Sequence, residues 1–224
     1  MCGNSIVSGK SGLKRLNPLR YLYYAIRSGT APFEKVLHYI PDNAEILDFG
    51  CGYGILIDLI DTKKNNCRIT GIDINEKRIE ALKEKNPHNQ YISGDVLIEA
   101  NKLLSENLKF DCIIIFDVLY LLHPERQREM IRISSKILKP SGVLLIKEMD
   151  KKALLRFAWT YLQEFFFVKI IKMTKTKENG LYFMSTEEIS KELSANDMQT
   201  EIVKMGSISH PHVLIIGKKH NSRE

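Results

Sequence analysis

The chain has 224 residues, 44% hydrophobic and 27% charged, enough for one well-filled α/β domain with a small appendage. Its formal charge is +6, and no run approaches the roughly 20 uncharged apolar residues that a membrane-spanning helix needs. Cys2, Cys51, Cys67 and Cys112 have neither CxxC pairing nor zinc-finger spacing, which argues against a disulfide scaffold or a zinc domain and for a reduced, cytoplasmic protein.

The charge is uneven along the chain. Residues 1–40 carry six Lys/Arg against Glu34 alone, and residues 151–224 carry twelve against eight. The centre, 41–150, carries fifteen basic against eighteen acidic side chains. Basic flanks attract phosphates, anionic lipid or nucleic acid, and they also serve as plain solvated surface.

The polar N-terminus lacks the apolar core of a secretory leader, so none is expected. Gly3 to Ser11 ends in Gly-Lys-Ser like a phosphate loop, but five residues rather than four separate Gly3 from Gly9, and no strand precedes it. Residues 1–40 read as a basic helical extension, with helices near 18–28 and 31–39. Between Lys14 and Arg27, four basic residues mix with Leu19, Tyr21, Leu22, Tyr23, Tyr24 and Ile26, a composition suited to closing over a site or lying on an anionic membrane.

A strand over 45–49 then runs into Gly50-Cys51-Gly52-Tyr53-Gly54, and the apolar run Ile55-Leu56-Ile57 suits a helix over 54–62. A backbone without Cβ turns sharply and approaches a ligand closely. Strand, glycine turn and helix N-terminus together read as a nucleotide-cofactor site. Asp73 closes the next apolar run, near the spacing of a carboxylate that binds ribose hydroxyls. The dinucleotide fingerprint would need glycine at Ile55, so a dehydrogenase fits poorly.

Further strands are expected near 68–72, 90–93, 111–116, 142–147, 200–204 and 212–217. Helices are expected near 76–85, 98–105, 124–138 and 186–195. Pro124 suits a first helical position, Pro140-Ser141-Gly142 a stop, and Ser185 with Glu188 a capping box. Strands alternating with helices argue for a parallel sheet covered on both faces.

Asp48-x-Gly50-x-Gly52-x-Gly54 resembles motif I of the class I S-adenosylmethionine (SAM) methyltransferases. The likeness extends through Gly71-Ile72-Asp73-Ile74, Gly94-Asp95-Val96, Phe110 to His123 and Leu138 to Ile146, roughly residues 40–217. Pro140-Ser141-Gly142 stands where the family often has Pro-Gly-Gly. The resemblance implies a three-layer Rossmann-like α/β fold with sheet order 3-2-1-4-5-7-6 and strand 7 antiparallel. It implies a SAM-binding domain over 41–224, interrupted by a helical insertion at about 151–184. Lys147 to Asp150, Trp159, Gln163-Glu164 and His210 to Val213 resemble a prokaryotic subgroup associated with lipid or polyene biosynthesis.

By the same resemblance, Asp48 orders the glycine loop or meets the methionine amino group through water. Gly50, Cys51, Gly52 and Gly54 give backbone approach, Asp73 holds the ribose diol, and Ile74 packs on adenine. Asp95 and Val96 lie near the adenine edge, and Asp117 ends strand four beside the sulfonium or caps a helix. Methyl transfer is an in-line displacement on an activated carbon, so orientation supplies much of the rate. A base for a high-pKa acceptor has as candidates His123, Glu148, Asp150, His210 and His212. No ligand spacing for a metal is present.

The aromatic-rich insertion 153–173 suits a lid over a small-molecule or lipid-like acceptor, or else buried packing or a dimer interface. A nucleic-acid methyltransferase is less favoured, because Asp117-Val118-Leu119-Tyr120 stands where base-methylating enzymes commonly carry Asn/Asp-Pro-Pro-Tyr. A catalytically silent SAM-binding module is the non-enzymatic alternative.

Overall fold

A computed structural model describes residues 33–149, 180–205 and 212–219. The helix expected over 18–28, the basic aromatic stretch 14–27, the insertion core 153–173, Asp150 and His210 lie outside those residues.

The described chain runs α1 (Phe33–Leu37), β1 (Glu45–Phe49), α2 (Ile55–Lys63), β2 (Arg68–Asp73), α3 (Glu76–Lys85) and β3 (Gln90–Ser93). It continues through α4 (Val96–Ser105), β4 (Phe110–Phe116), α5 (Pro124–Ile137), β5 (Leu138–Met149), α6 (Thr186–Ala195), β6 (Met198–Lys204) and β7 (His212–Lys219). The seven strands form one sheet in the order β3-β2-β1-β4-β5-β7-β6. Pairs from β3 to β5 are parallel, and β7 lies antiparallel to both β5 and β6. The expected topology is the one found.

The alternation of strand side chains sorts the core into two layers. Leu47, Phe49, Ile113, Ile115, Ile146 and Ile215 meet α4, α5 and α6 on one face. Ile46, Ile114, Leu145, Leu214 and Ile216 meet α1, α2 and α3 on the other. A sheet buried on both sides needs near-continuous apolar strands, which is why the run Cys112-Ile113-Ile114-Ile115 shows no polar alternation.

Local chemistry sets the boundaries. Ser185 Oγ accepts from Glu188 N–H while the Glu188 carboxylate accepts from Ser185 N–H, the expected capping box. Helix α4 begins at Val96, two residues before the expected start, because the Asp95 carboxylate accepts from Leu97 and Ile98 N–H. Strand β5 is longer than expected: Leu138 already pairs with Phe110, and the register then jumps to Cys112 opposite Val143. Lys139 to Gly142 bulge out, with Ser141 left-handed at φ 60°. The helix still stops at Ile137, as the Pro-Ser-Gly stop required.

Candidate active site

The ends of β1, β2, β4 and β5 define one rim of the sheet, where open α/β folds bind ligands. Gly50, Gly52 and Gly54 all have positive φ, at 74°, 58° and 73°. The turn is anchored below by Gly50 and Cys51 N–H, which donate to Ile72 O at 2.7 and 3.1 Å. Among the described residues, a Cβ at Gly52 would meet nothing closer than Gly50 O at 3.8 Å. The turn therefore faces open space at this position, a cradle that a side chain would fill.

Asp73 orders that cradle. Its Oδ2 accepts from Gly52 N–H at 3.0 Å and its Oδ1 from Asn75 N–H at 2.7 Å. Arg78 approaches the same Oδ2 at 3.6 Å, and its guanidinium lies over the Tyr53 ring, 4.6 Å from the centroid. A carboxylate has about four lone-pair positions, so Asp73 keeps acceptor capacity beyond its two backbone bonds. Ile74, next along, is half-buried. Asp73 thus takes part in ordering the loop, one of the two roles expected of Asp48.

Asp48 sits beneath the turn, 5% exposed. Burial, and then the nearby Asp73 charge, push its carboxyl up to about 7. Cys51 gives the turn its backbone, while its buried thiol packs against Gly71 and is pushed up by burial and by Asp48 and Asp73. On the other side, Asp95 Oδ1 meets Arg126 Nη2 at 2.6 Å. Burial alone would raise Asp95, but the Arg126 hydrogen bond and charge, with the two cap N–H groups, hold it below the ordinary carboxylate value. Val96 beside it is buried.

At the end of β4, Asp117 is left-handed at φ 58° and its Oδ2 lies 2.7 Å from Lys147 Nζ. Sequence pattern alone does not mark Lys147 as a site residue. Its signals are a lysine directly after the apolar run Val143 to Ile146 and its place in the stretch Lys147 to Asp150 that carries the subgroup resemblance. Phe116 pairs with Lys147 in register, so the two strand ends deliver the pair together.

The proposed bases are dispersed. Glu148 and His212 are both buried but fall on opposite faces of the sheet, since Glu148 pairs with Val213 and His212 with Met149. His123 is exposed at the start of α5, with its ring edge-on to Tyr182 at 5.2 Å.

Tyr182 belongs to a second feature that periodicity does not reveal. The stretch Leu181-Tyr182-Phe183 docks on the turn after β4: Tyr182 N–H donates to Tyr120 O at 2.7 Å, and Phe183 stacks on Tyr120 at 4.9 Å. Gln127 Nε2 donates to Leu122 O at 2.7 Å and also to Tyr182 O. Among the described residues, no helix is long and apolar enough to cross a membrane.

The family model described as a methyltransferase domain matches residues 19–200. A ribosomal protein L11 methyltransferase of Shewanella woodyi is 32% identical over 124 residues, 55% of this chain and 40% of that protein. A ubiquinone biosynthesis O-methyltransferase of Bartonella tribocorum is 26% identical over 140 residues, 62% of this chain and 55% of that one. The chain thus spans about half the length of the curated relatives it matches. Among solved structures, a SAM-dependent methyltransferase from Archaeoglobus fulgidus shares the fold with a TM-score of 0.66 at 17% identity, covering 84% of this chain and 91% of that one. Family match and sheet order agree, and the chain belongs to the methyltransferase-domain family and has the class I methyltransferase fold.

Proposed function

We propose that this protein transfers a methyl group from SAM to a small-molecule or lipid-like acceptor by in-line displacement. The cofactor supplies a methyl carbon already activated by a positive sulfur. The chain's residues fit it. The open face at Gly52 admits a ligand against backbone, and Asp73, with Gly52 N–H, Asn75 N–H and Arg78 already on it, keeps acceptor capacity for a ribose hydroxyl. Ile74, Val96 and Asp95 stand at the adenine end, and Asp117 at the methionine end, with Asp48 beneath the turn.

The acceptor side carries the finer reading. The aromatic stretch Leu181 to Phe183, clamped by Gln127, forms an apolar wall beside the exit of β4. It is the described end of the insertion at about 151–184. A wall of this kind excludes water and orients a hydrophobic molecule, and that orientation contributes most of the rate when the carbon is preactivated. His123 borders the wall and is, among the described candidates, the base best placed to take a proton from an acceptor hydroxyl or amine there. The basic flanks support membrane contact by residues 14–27 as the route to a lipid-like acceptor.

The test is transfer of tritium from labelled SAM into separated lipid, small-molecule, RNA and protein pools. Label in the lipid or small-molecule pool is expected. Label confined to RNA or protein overturns the acceptor, and no transfer with intact SAM binding favours a silent module.

A further inference from the structure

Lys147 is 1% exposed, and its ammonium is bonded to Asp117 at the rim of the sheet. A buried ion pair is a poor stabilising device: both ions lose hydration, and apolar residues of similar volume commonly serve stability as well or better. The strand presents Leu145 before Lys147 on the same face, and Leu214 lies opposite it, so an apolar side chain would suit the layer. The pair also fixes a backbone that a non-glycine residue rarely adopts. Asp117 N–H reaches Lys147 O at 3.4 Å, and the next residue, Val118, abuts Gly50 of the glycine turn. Lys147 thus holds a carboxylate one residue from the cradle, in one orientation and with its charge offset.

We infer that Lys147 is a positioning residue that orients and neutralises the Asp117 carboxylate at the sulfur end of the cofactor. This rests on the reading that Asp117 lines the methionine end. Methyl transfer discharges the sulfonium. A bare carboxylate nearby would stabilise the charged donor more than the transition state and slow the reaction. A carboxylate already paired to an ammonium does not.

SAM and S-adenosylhomocysteine differ by one methyl group and one positive charge at sulfur, so the ratio of their affinities reads the field at that point. Calorimetric titration of both nucleosides, at one pH and low salt, is run on the wild type, Lys147→Met, Lys147→Arg and Asp117→Asn. Lys147→Met shifts the ratio toward SAM by roughly tenfold, and Lys147→Arg restores it. Asp117→Asn shifts it the other way, since an ammonium then stands uncompensated. A merely structural role would move both affinities together. An unchanged ratio in a folded Lys147→Met, with Asp117→Asn still shifted, overturns the inference alone. No shift in either variant overturns the placement of Asp117. Should Lys147→Met fail to fold by circular dichroism, Lys147→Gln takes its place: a ratio moved toward SAM supports the inference, and an unmoved one sinks it.

Discussion

The Cβ that Gly50 lacks would fall on Cγ2 of Val118, well inside van der Waals contact. At Gly52, two residues on, a Cβ would meet nothing closer than Gly50 O at 3.8 Å among the described residues. Two glycines of one turn therefore serve different ends, one to close the turn on β4 and one to leave room for a ligand.

Gly50→Ala should cost roughly 2–4 kcal/mol of stability, combining left-handed backbone strain with a clash in a packed layer. In urea unfolding, Gly50→Ala with Val118→Ala should lose at least ~1 kcal/mol less than the sum of the single variants. Strict additivity would show that the contact does not limit this position.

Gly52→Val should behave in the opposite sense. Its stability cost is the backbone strain alone, roughly 1–2 kcal/mol. SAM affinity should fall at least about tenfold, the equivalent of ~1.4 kcal/mol, because the side chain fills the cradle. Unchanged affinity by calorimetry would remove the cofactor from this turn.

Asp48 gives a pH prediction with a definite sign. Its carboxyl is raised from 3.8 to about 7, so between those values the folded protein holds a proton that the unfolded chain has released. That stability is complete below pH 3.8 and fades as pH rises through about 7. Wild type should lose of the order of 2–4 kcal/mol between pH 5 and pH 8.5 relative to Asp48→Asn. Urea midpoints at the two pH values measure the difference, and parallel profiles would show that Asp48 does not titrate there. A cationic ligand favours the ionised carboxylate, so SAM binding near pH 7 should release protons, visible as buffer-dependent heats.

Much of this arrangement is legible in the chain. The run Ile46 to Gly54 shows strand, turn and helix because each depends on local chemistry: apolar side chains, missing Cβ atoms, and a helix that starts where glycines end. Asp73 is found by spacing alone. The start of α4 lies two residues before the periodic onset at Ile98, because capping by Asp95 sets it and periodicity does not. Lys147 and Gln127 escape a reading of the sequence for a deeper reason. Their partners, Asp117 and Tyr182, lie 30 and 55 residues away, and only the packed sheet brings them together. Nor can periodicity show that Glu148 and His212 face opposite sides of the sheet, which depends on the β5–β7 register.

Asp95 caps α4 and pairs with Arg126 through the same oxygen. Asp95→Ala should cost roughly 1–3 kcal/mol, and Arg126→Ala, which leaves the cap, no more than about 1 kcal/mol. Because the Asp95 carboxyl is lowered in the fold, its contribution holds above 3.8 and is lost as pH falls below it. Unfolding at pH 6 and pH 3 checks this, since the Asp95→Ala deficit should shrink in acid. A deficit equal at both pH values would assign the loss to packing.

Gln127 is the last lever, because its amide ties the aromatic stretch to the turn after β4. Gln127→Leu keeps the volume but leaves Leu122 O and Tyr182 O without this donor, at a cost of roughly 1–3 kcal/mol. The loss should be local. Proteolysis near residues 181–183 should quicken, and methyl transfer to the acceptor should weaken through KM, because the wall is no longer fixed. S-adenosylhomocysteine affinity should stay within about twofold, a change below ~0.5 kcal/mol, since the glycine turn is untouched. Phe183→Ala should show the same split by removing the stack on Tyr120. If either variant instead weakened nucleoside binding and left acceptor KM unchanged, the aromatic stretch would belong to the cofactor side of the site.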